Sequence, residues 1–316
     1  MDIVNIWNEK SNKCLNLQGC VAAYDLGNGV NFEVLSNRTT QNFVVDTKFQ
    51  AASLSKLVGV IVCLKFLEMQ HEEVDFSLSG KLEIPVIKET TLKHIFSHCG
   101  GINVSGFAGY KKGQIPNIKQ IIHGMDGANS LPISQSLEFG KYSYSGGGYC
   151  LAQEYFERLS QKRINELADK ILFTPLNLVN TTFDLIFKDK SCAVGHNIDG
   201  KEIENGWNLY PEAIAAGLWT TPCEYLKILK ELIKGYYGES QIISAQIAHN
   251  ILTPFVDCKE DNKNFKYALG VRLSQNIYWH SGSNKGYKCF FAFDLASRKV
   301  FVIMSNDDNA ENIFAL

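Results

Sequence analysis

The sequence predicts a fold of the α/β (α+β) class: one antiparallel sheet assembled from both chain ends, flanked by helices, with a mostly helical lobe inserted. Three observations carry this expectation. Strand-like segments occupy both ends of the 316-residue chain. A helix with an unbroken apolar face follows the first of them. The middle of the chain mixes short helical patterns with glycine-rich loops. The sheet lobe is expected over about 1–69 and 221–316, and the helical lobe over about 70–220, within a single domain.

Each element follows from its local pattern. Residues 21–34 alternate around Gly27-Asn28-Gly29 and read as a hairpin. Residues 54–69 read as a helix, because Leu54, Leu57, Val58, Ile61 and Leu64 repeat at the three-and-four spacing of a buried face. Gly146-Gly147-Gly148 reads as a loop, followed by a helix over 150–159. Residues 222–234 place Leu226, Leu229, Leu232 and Ile233 on one helical side. The acidic run 257–261 reads as a solvated loop. Strands are expected over 267–273, 277–280, 287–295 and 299–305, the last two joined as a hairpin over Ala296-Ser297-Arg298. The seven prolines are scattered, and no linker, repeat or low-complexity segment interrupts the chain.

Composition narrows the function classes. Hydrophobic residues make up 45% and charged residues 20%, ordinary values for a globular protein with a large core. A net charge of −2 offers no electrostatic footprint for nucleic acid or for an anionic membrane. The longest apolar stretch, residues 57–64, is too short to span a bilayer. The N-terminus lacks the basic start and apolar run of a secretory signal, so a cytoplasmic location is expected, or a periplasmic one if a leader was removed. Nine cysteines with no C-x-x-C pair, several in apolar contexts, suit buried thiols in a reducing compartment.

Three constellations carry chemistry. In the first, Ser53 and Lys56 stand three apart at the start of the apolar helix, so they share a face one turn apart. Backbone N–H groups and the dipole at a helix start favour developing negative charge, and a lysine beside a serine can accept its proton. Alone, the pair reads more simply as an N-cap serine and a surface lysine. In the second, Tyr142-Ser143-Tyr144-Ser145-Gly146-Gly147-Gly148, Tyr144 offers a phenolic oxygen to a cleft; the plain alternative is a surface loop. In the third, Trp279-His280-Ser281-Gly282-Ser283-Asn284, a strand ends on His280, and Gly282 lets a substrate backbone approach. The backbone N–H groups of Ser53 and Ser283 would form an oxyanion hole. The plain alternative is a turn carrying a half-buried histidine.

In this order the three motifs resemble those of the serine β-lactamase and penicillin-binding-protein superfamily, most closely its class C β-lactamase-like branch of esterases and D-peptidases. That family carries S-x-x-K, then Y-x-N or a relative, then K-T-G or H-x-G. Here these are Ser53 to Lys56, Tyr144-Ser145-Gly146 and His280-Ser281-Gly282. Further likeness lies in Thr91 to Gly101, Phe107 to Tyr110, Thr174 to Leu178, Thr181 to Phe183 and Tyr210 to Pro222, so it runs from about 20 to 306. The resemblance implies a β-lactamase/transpeptidase-like fold and an acyl-enzyme on Ser53. Lys56 and Tyr144 would share the proton work, and His280 would orient Tyr144 or the substrate. Gly146, Gly282 and Asn284 would lie along the substrate. It implies no cofactor and no metal, and a small ester, amide or peptide as substrate.

Two departures bear on substrate. Gly146 replaces the asparagine that holds the amide in β-lactamases. His280 replaces a lysine, and with it a fixed charge for a substrate carboxylate. An esterase or peptidase is therefore expected ahead of a dedicated β-lactamase or D,D-carboxypeptidase, and a catalytically silent binding relative is the alternative of another class. His94 and His98 stand at metal-ligand spacing, yet no glutamate lies between them, so a structural role is expected. Gly146 to Gly148 lack the following Lys-Ser/Thr of a phosphate loop.

Overall fold

The computed structural model describes residues 2–113, 115–260 and 263–313. Helix α1 (Ile3–Lys13) starts on Asp2, whose side chain accepts from Val4 N. Strands β1 (Gly19–Asp25) and β2 (Asn31–Asn37) form the expected hairpin. Strand β3 (Phe49–Gln50) and a 3-10 turn at Ala52–Leu54 lead into α2 (Ser55–Met69). Helices α3 (Leu92–Phe96), α4 (Ile118–His123), α5 (Gly146–Ser160) and α6 (Ile164–Ala168) follow, then a π turn at Ala213–Gly217 and β4 (Trp219–Thr220). The chain closes through α7 (Pro222–Tyr236), α8 (Ala245–Leu252) and strands β5 (Val256–Glu260), β6 (Lys263–Tyr267), β7 (Arg272–Ser274), β8 (Ile277–Asn284), β9 (Tyr287–Asp294) and β10 (Val300–Ser305).

Among the described residues, eight strands form one antiparallel sheet in the order β2-β1-β10-β9-β8-β7-β6-β5. The first and last segments of the chain meet where β1 pairs with β10. Strand alternation sorts the two faces. Phe290, Phe301 and Ile303 point to one side, where Ile3, Ile6 and Trp7 of α1 cover them. Phe291, Phe293, Val302 and Met304 point to the other, against α2 and α7. Helix α2 runs through this second layer with Leu57, Val58, Ile61 and Leu64 all buried. Each such side chain contributes about 1.5–3 kcal/mol by leaving water. A second, short sheet pairs β3 with β4 and ties the start of α2 to the π turn.

Four local expectations are corrected. Residues 267–273 do not form one strand: the chain turns between β6 and β7, with Ala268 N donating to Val271 O. The run 257–261 is not a loop, because Asp257 to Glu260 lie in edge strand β5, and Asp261 lies outside the described residues. Charges on a sheet edge deter pairing with other chains. Strand β8 does not end at His280 but continues to Asn284. Gly146 to Gly148 are not a loop: they are the buried first turn of α5. A side chain at Gly147 would meet Asn103 O at 2.6 Å, so the crowding there, rather than a turn, explains the glycine.

Candidate active site

Ser53 sits on the 3-10 turn that opens α2, and Lys56 lies one turn on. Lys56 is 2% exposed. Its Nζ donates to Ser53 Oγ at 3.1 Å and to Ala215 O at 2.7 Å, so the π turn at Ala213–Gly217 anchors it. The Tyr144 and Tyr149 rings lie 5.0 and 5.4 Å from Nζ and offer their faces to its charge. Ser55 braces the same turn, donating to Ala52 O and accepting from Leu218 N.

Tyr144 is positioned by its neighbour. Ser145 caps α5: its Oγ accepts from Gly148 N at 3.0 Å and donates to Asn103 O at 2.9 Å. Ser145 N donates to His98 Nδ1 at 3.0 Å, and the His98 ring lies 4.2 Å from the Tyr144 ring.

Strand β8 forms the opposite wall. Its partner β7 covers only Ile277 to Trp279, so from His280 onward β8 pairs with β9 alone and presents a bare edge to the start of α2. The two-residue turn at Lys285-Gly286 makes Asn284 and Tyr287 a hydrogen-bonded pair. Alternation then leaves the Ser283 N–H pointing off that edge. Gly282 touches the helix start: a Cβ there would lie 2.7 Å from Ala51 O and 2.9 Å from Ser53 N. Cys289 Sγ, one strand further, donates to Ala51 O at 2.8 Å.

These elements enclose a cleft of about 410 Å³ whose walls include Ser53, Tyr144, Arg272, His280, Gly282 and Ser283. A groove of about 460 Å³ at the other end of α2, beside Glu68, Glu72 and Asp75, holds no nucleophile. Six residues expected from the sequence thus stand together: Ser53, Lys56, Tyr144, His280, Gly282 and Ser283. Lys56 lies behind Ser53 and not in the cleft lining, and two more residues lie outside it. Gly146 is buried against Phe107 and Ser105 O. Asn284 is 4% exposed, and its amide donates to Gln50 Oε1 at 2.8 Å and Ala216 O at 3.0 Å.

His280 does not hydrogen-bond Tyr144, whose ring lies 6.2 Å away. Its Nε2 meets the Tyr267 hydroxyl at 2.8 Å, and its Nδ1 meets Ser281 O at 2.6 Å. Tyr267 in turn meets His98 Nε2 at 3.0 Å. Burial, then the Arg272 and Lys56 charges, pushes His280 well below the usual histidine range. Burial, then Lys56 and His280, does the same to His98. Burial, then the neighbouring tyrosines, pushes the Tyr267 hydroxyl well up.

Sequence reasoning missed Tyr267, Arg272 and Lys288, and assigned His98 only a structural part. Arg272 enters the cleft between the rings of Phe265, Trp279 and Tyr144, at 5.0, 4.9 and 5.9 Å. Lys288 donates to Ser283 Oγ at 2.6 Å and faces Asp308 at 3.4 Å. So the cleft holds fixed cations although the third motif begins with histidine. No local motif marks these residues; only sheet register brings them in. His94 sits at α3, where its ring meets Thr91, and does not face His98 across a site. Among the described residues, no cluster of His, Cys, Asp and Glu suits a metal ion, and no helix is long and apolar enough to cross a membrane.

A large antiparallel sheet with helices on both faces, and a helix-start serine facing a bare strand edge, define the β-lactamase/transpeptidase-like fold. The Beta-lactamase family model matches residues 19–314. The chain belongs to that family, and with it to the serine hydrolases of the β-lactamase and penicillin-binding-protein superfamily. Solved structures agree on the fold. The D-amino acid amidase from Ochrobactrum anthropi SV3, complexed with L-phenylalanine amide, superposes with a TM-score of 0.76 at 15% identity, covering 96% of this chain and 91% of that one. The penicillin-binding protein from Bacillus halodurans gives 0.76 at 18% identity, over 98% and 97%. The octameric penicillin-binding-protein homologue from Pyrococcus abyssi gives 0.75 at 18% identity, over 98% and 74%. A search of curated protein sequences finds no match.

Proposed function

We propose that the protein is an active hydrolase that forms an acyl-enzyme on Ser53, with an ester, amide or peptide as substrate. The observation that carries this reading is the buried Lys56 Nζ, held by Ala215 O and set 3.1 Å from Ser53 Oγ at the mouth of a cleft. A binding module has no need of such a pair. Ser53 Oγ attacks the carbonyl carbon, and its proton passes to Lys56 in the amine form or to Tyr144 in the phenolate form. The tetrahedral oxyanion is met by the Ser53 and Ser283 N–H groups. The leaving group departs with a proton from the same pair, and water then cleaves the ester on Ser53.

Incubation with a fluorophosphonate or a fluorescent penicillin is expected to raise the mass of the chain by one adduct on Ser53, and Ser53→Ala is expected to lose it. No adduct from either probe, together with no turnover of p-nitrophenyl esters, would overturn the reading.

Within this reading, esters or peptides are the favoured substrates over lactams. Gly146 offers no side-chain amide, so the contact that β-lactamases make there is missing. Amino-acid amides join the first set to try, given the amidase neighbour. Short-ester or amide turnover is expected to exceed nitrocefin turnover in kcat/KM. Nitrocefin as the clearly better substrate would reverse the assignment.

A further inference from the structure

We propose that His98, Tyr267 and His280 form a hydrogen-bonded chain of fixed polarity that positions the Ser53 site, with His280 a member of that chain and not a donor to substrate. The proposal rests on the acyl-enzyme reading only for its effect on rate.

The polarity follows from the two ends. Ser145 N–H can only donate, so His98 Nδ1 accepts. The neutral His98 ring then carries its proton on Nε2 and donates to Tyr267 Oη. The single Tyr267 proton goes to His280 Nε2. His280 must therefore carry its proton on Nδ1, where it meets Ser281 O, which can only accept. Four contacts close without a conflict, and the two histidines hold opposite tautomers. Both rings are buried, at 2% and 1% exposure, so an unmade bond anywhere in the chain leaves a costly orphan.

The surroundings hold the rings neutral. Lys56 on α2 and Arg272 on β7 bring positive charge towards both. Tyr142, Tyr144 and Tyr149 surround His98 with rings, at 6.1, 4.2 and 5.3 Å, and among the described residues no carboxylate pairs with either histidine. Adding a proton to His98 would set an N–H against Ser145 N–H. Adding one to His280 would set an N–H against the Tyr267 hydroxyl proton.

The chain connects two walls of the cleft. At one end it fixes Ser145, and so the backbone that carries Tyr144. At the other it fixes the Ser281 carbonyl, and so β8 just before Gly282 and Ser283. With both His280 nitrogens engaged, the ring has no free edge to offer a substrate. His98 and Tyr267 are thus positioning residues on separate elements, brought to one line by the fold.

Long-range proton–nitrogen NMR of protein labelled with 15N-histidine tests this without requiring turnover. Assignment comes from His98→Asn and His280→Gln. The expected result is a His98 Nε2–H tautomer and a His280 Nδ1–H tautomer, neither titrating between about pH 5 and 8. A His280 Nε2–H tautomer, or either ring charging near its ordinary pKa, would overturn the chain. Tyr267→Phe keeps the ring and removes the link. It is expected to mix the tautomers and to lower kcat for a p-nitrophenyl ester by about tenfold, with KM little changed. Unchanged kcat in a folded Tyr267→Phe variant would overturn the positioning role. If that variant does not fold, the wild-type tautomers still decide. If the wild type shows the expected tautomers but neither an adduct on Ser53 nor ester turnover, the acyl-enzyme reading fails and the chain stands.

Discussion

A Gly282→Ala variant is expected to lose about 100-fold in the rate at which Ser53 is acylated, while remaining folded. A Cβ at this position would lie 2.5 Å from Cys289 Sγ, 2.7 Å from Ala51 O and 2.9 Å from Ser53 N. Two of these three walls are backbone, so no side chain can swing aside to make room. Strand β8 must therefore back away from the start of α2, and the gap between the Ser53 and Ser283 amides opens with it. Reacting groups misplaced by about an ångström lose on the order of 100-fold in rate. Overpacking costs about 1–3 kcal/mol of stability, which a domain of this size survives. The measurement is the rate of fluorophosphonate labelling, alongside the thermal midpoint. Labelling near the wild-type rate in the folded variant would show that the strand edge takes no part.

The second large effect concerns stability. Glu212 is wholly buried, and neither of its carboxyl oxygens makes a well-formed hydrogen bond among the described residues. Burial pushes its carboxyl from 4.5 up to about 8; its own backbone N–H and then the Tyr110 hydroxyl ease the shift without cancelling it. Tyr210 and Cys150 feel the same carboxyl as a repelling charge. Because the folded pKa is raised, the protonated form stabilises the fold fully below about 4.5, and that contribution is lost as pH rises towards about 8. At pH 7 the difference amounts to roughly 3 kcal/mol against folding. Glu212→Gln removes this loss. Its urea midpoint is expected to exceed that of the wild type at pH 7.5 and to stay flat from pH 5 to 8, where the wild type declines. A variant less stable than wild type at pH 7.5 would mean that the carboxylate has a partner worth more than its burial costs.

Much of the fold could be read locally, because strands and helices announce themselves by spacing. The hairpin at Gly27 to Gly29 and the strands Tyr287–Asp294 and Val300–Ser305 owe little to anything distant. Errors arose where tertiary contacts override local preference. Glycines at 146–148 carry loop preference, yet Ser145 caps a helix that begins on them and neighbouring backbone demands their size. Acidic residues at 257–260 look solvated because an edge strand is half solvated. Helix α1 carries only a short signal, Ile3, Ile6, Trp7 and Lys10 at helical spacing over three turns. At the site, Ser53 and Lys56 were legible because they lie on one helix turn. Tyr267 was not, because nothing near it in sequence reveals that His98 and His280 lie on either side.

The pairing of β1 with β10 has a consequence for biogenesis. Ala23 stands opposite Phe32 on one side and Val302 on the other. A ribosome delivers the first partner almost at once and the second only after the 279 residues from Ala23 to Val302 have been added. Until then the nascent hairpin offers an apolar edge with no mate, the kind of surface that holdase chaperones cover. The sheet cannot close from the N-terminus forward, and closure must wait for contacts of very long sequence separation, which are slow to form. The cleft inherits that delay, since β8 and β9 reach α2 only in the same late step.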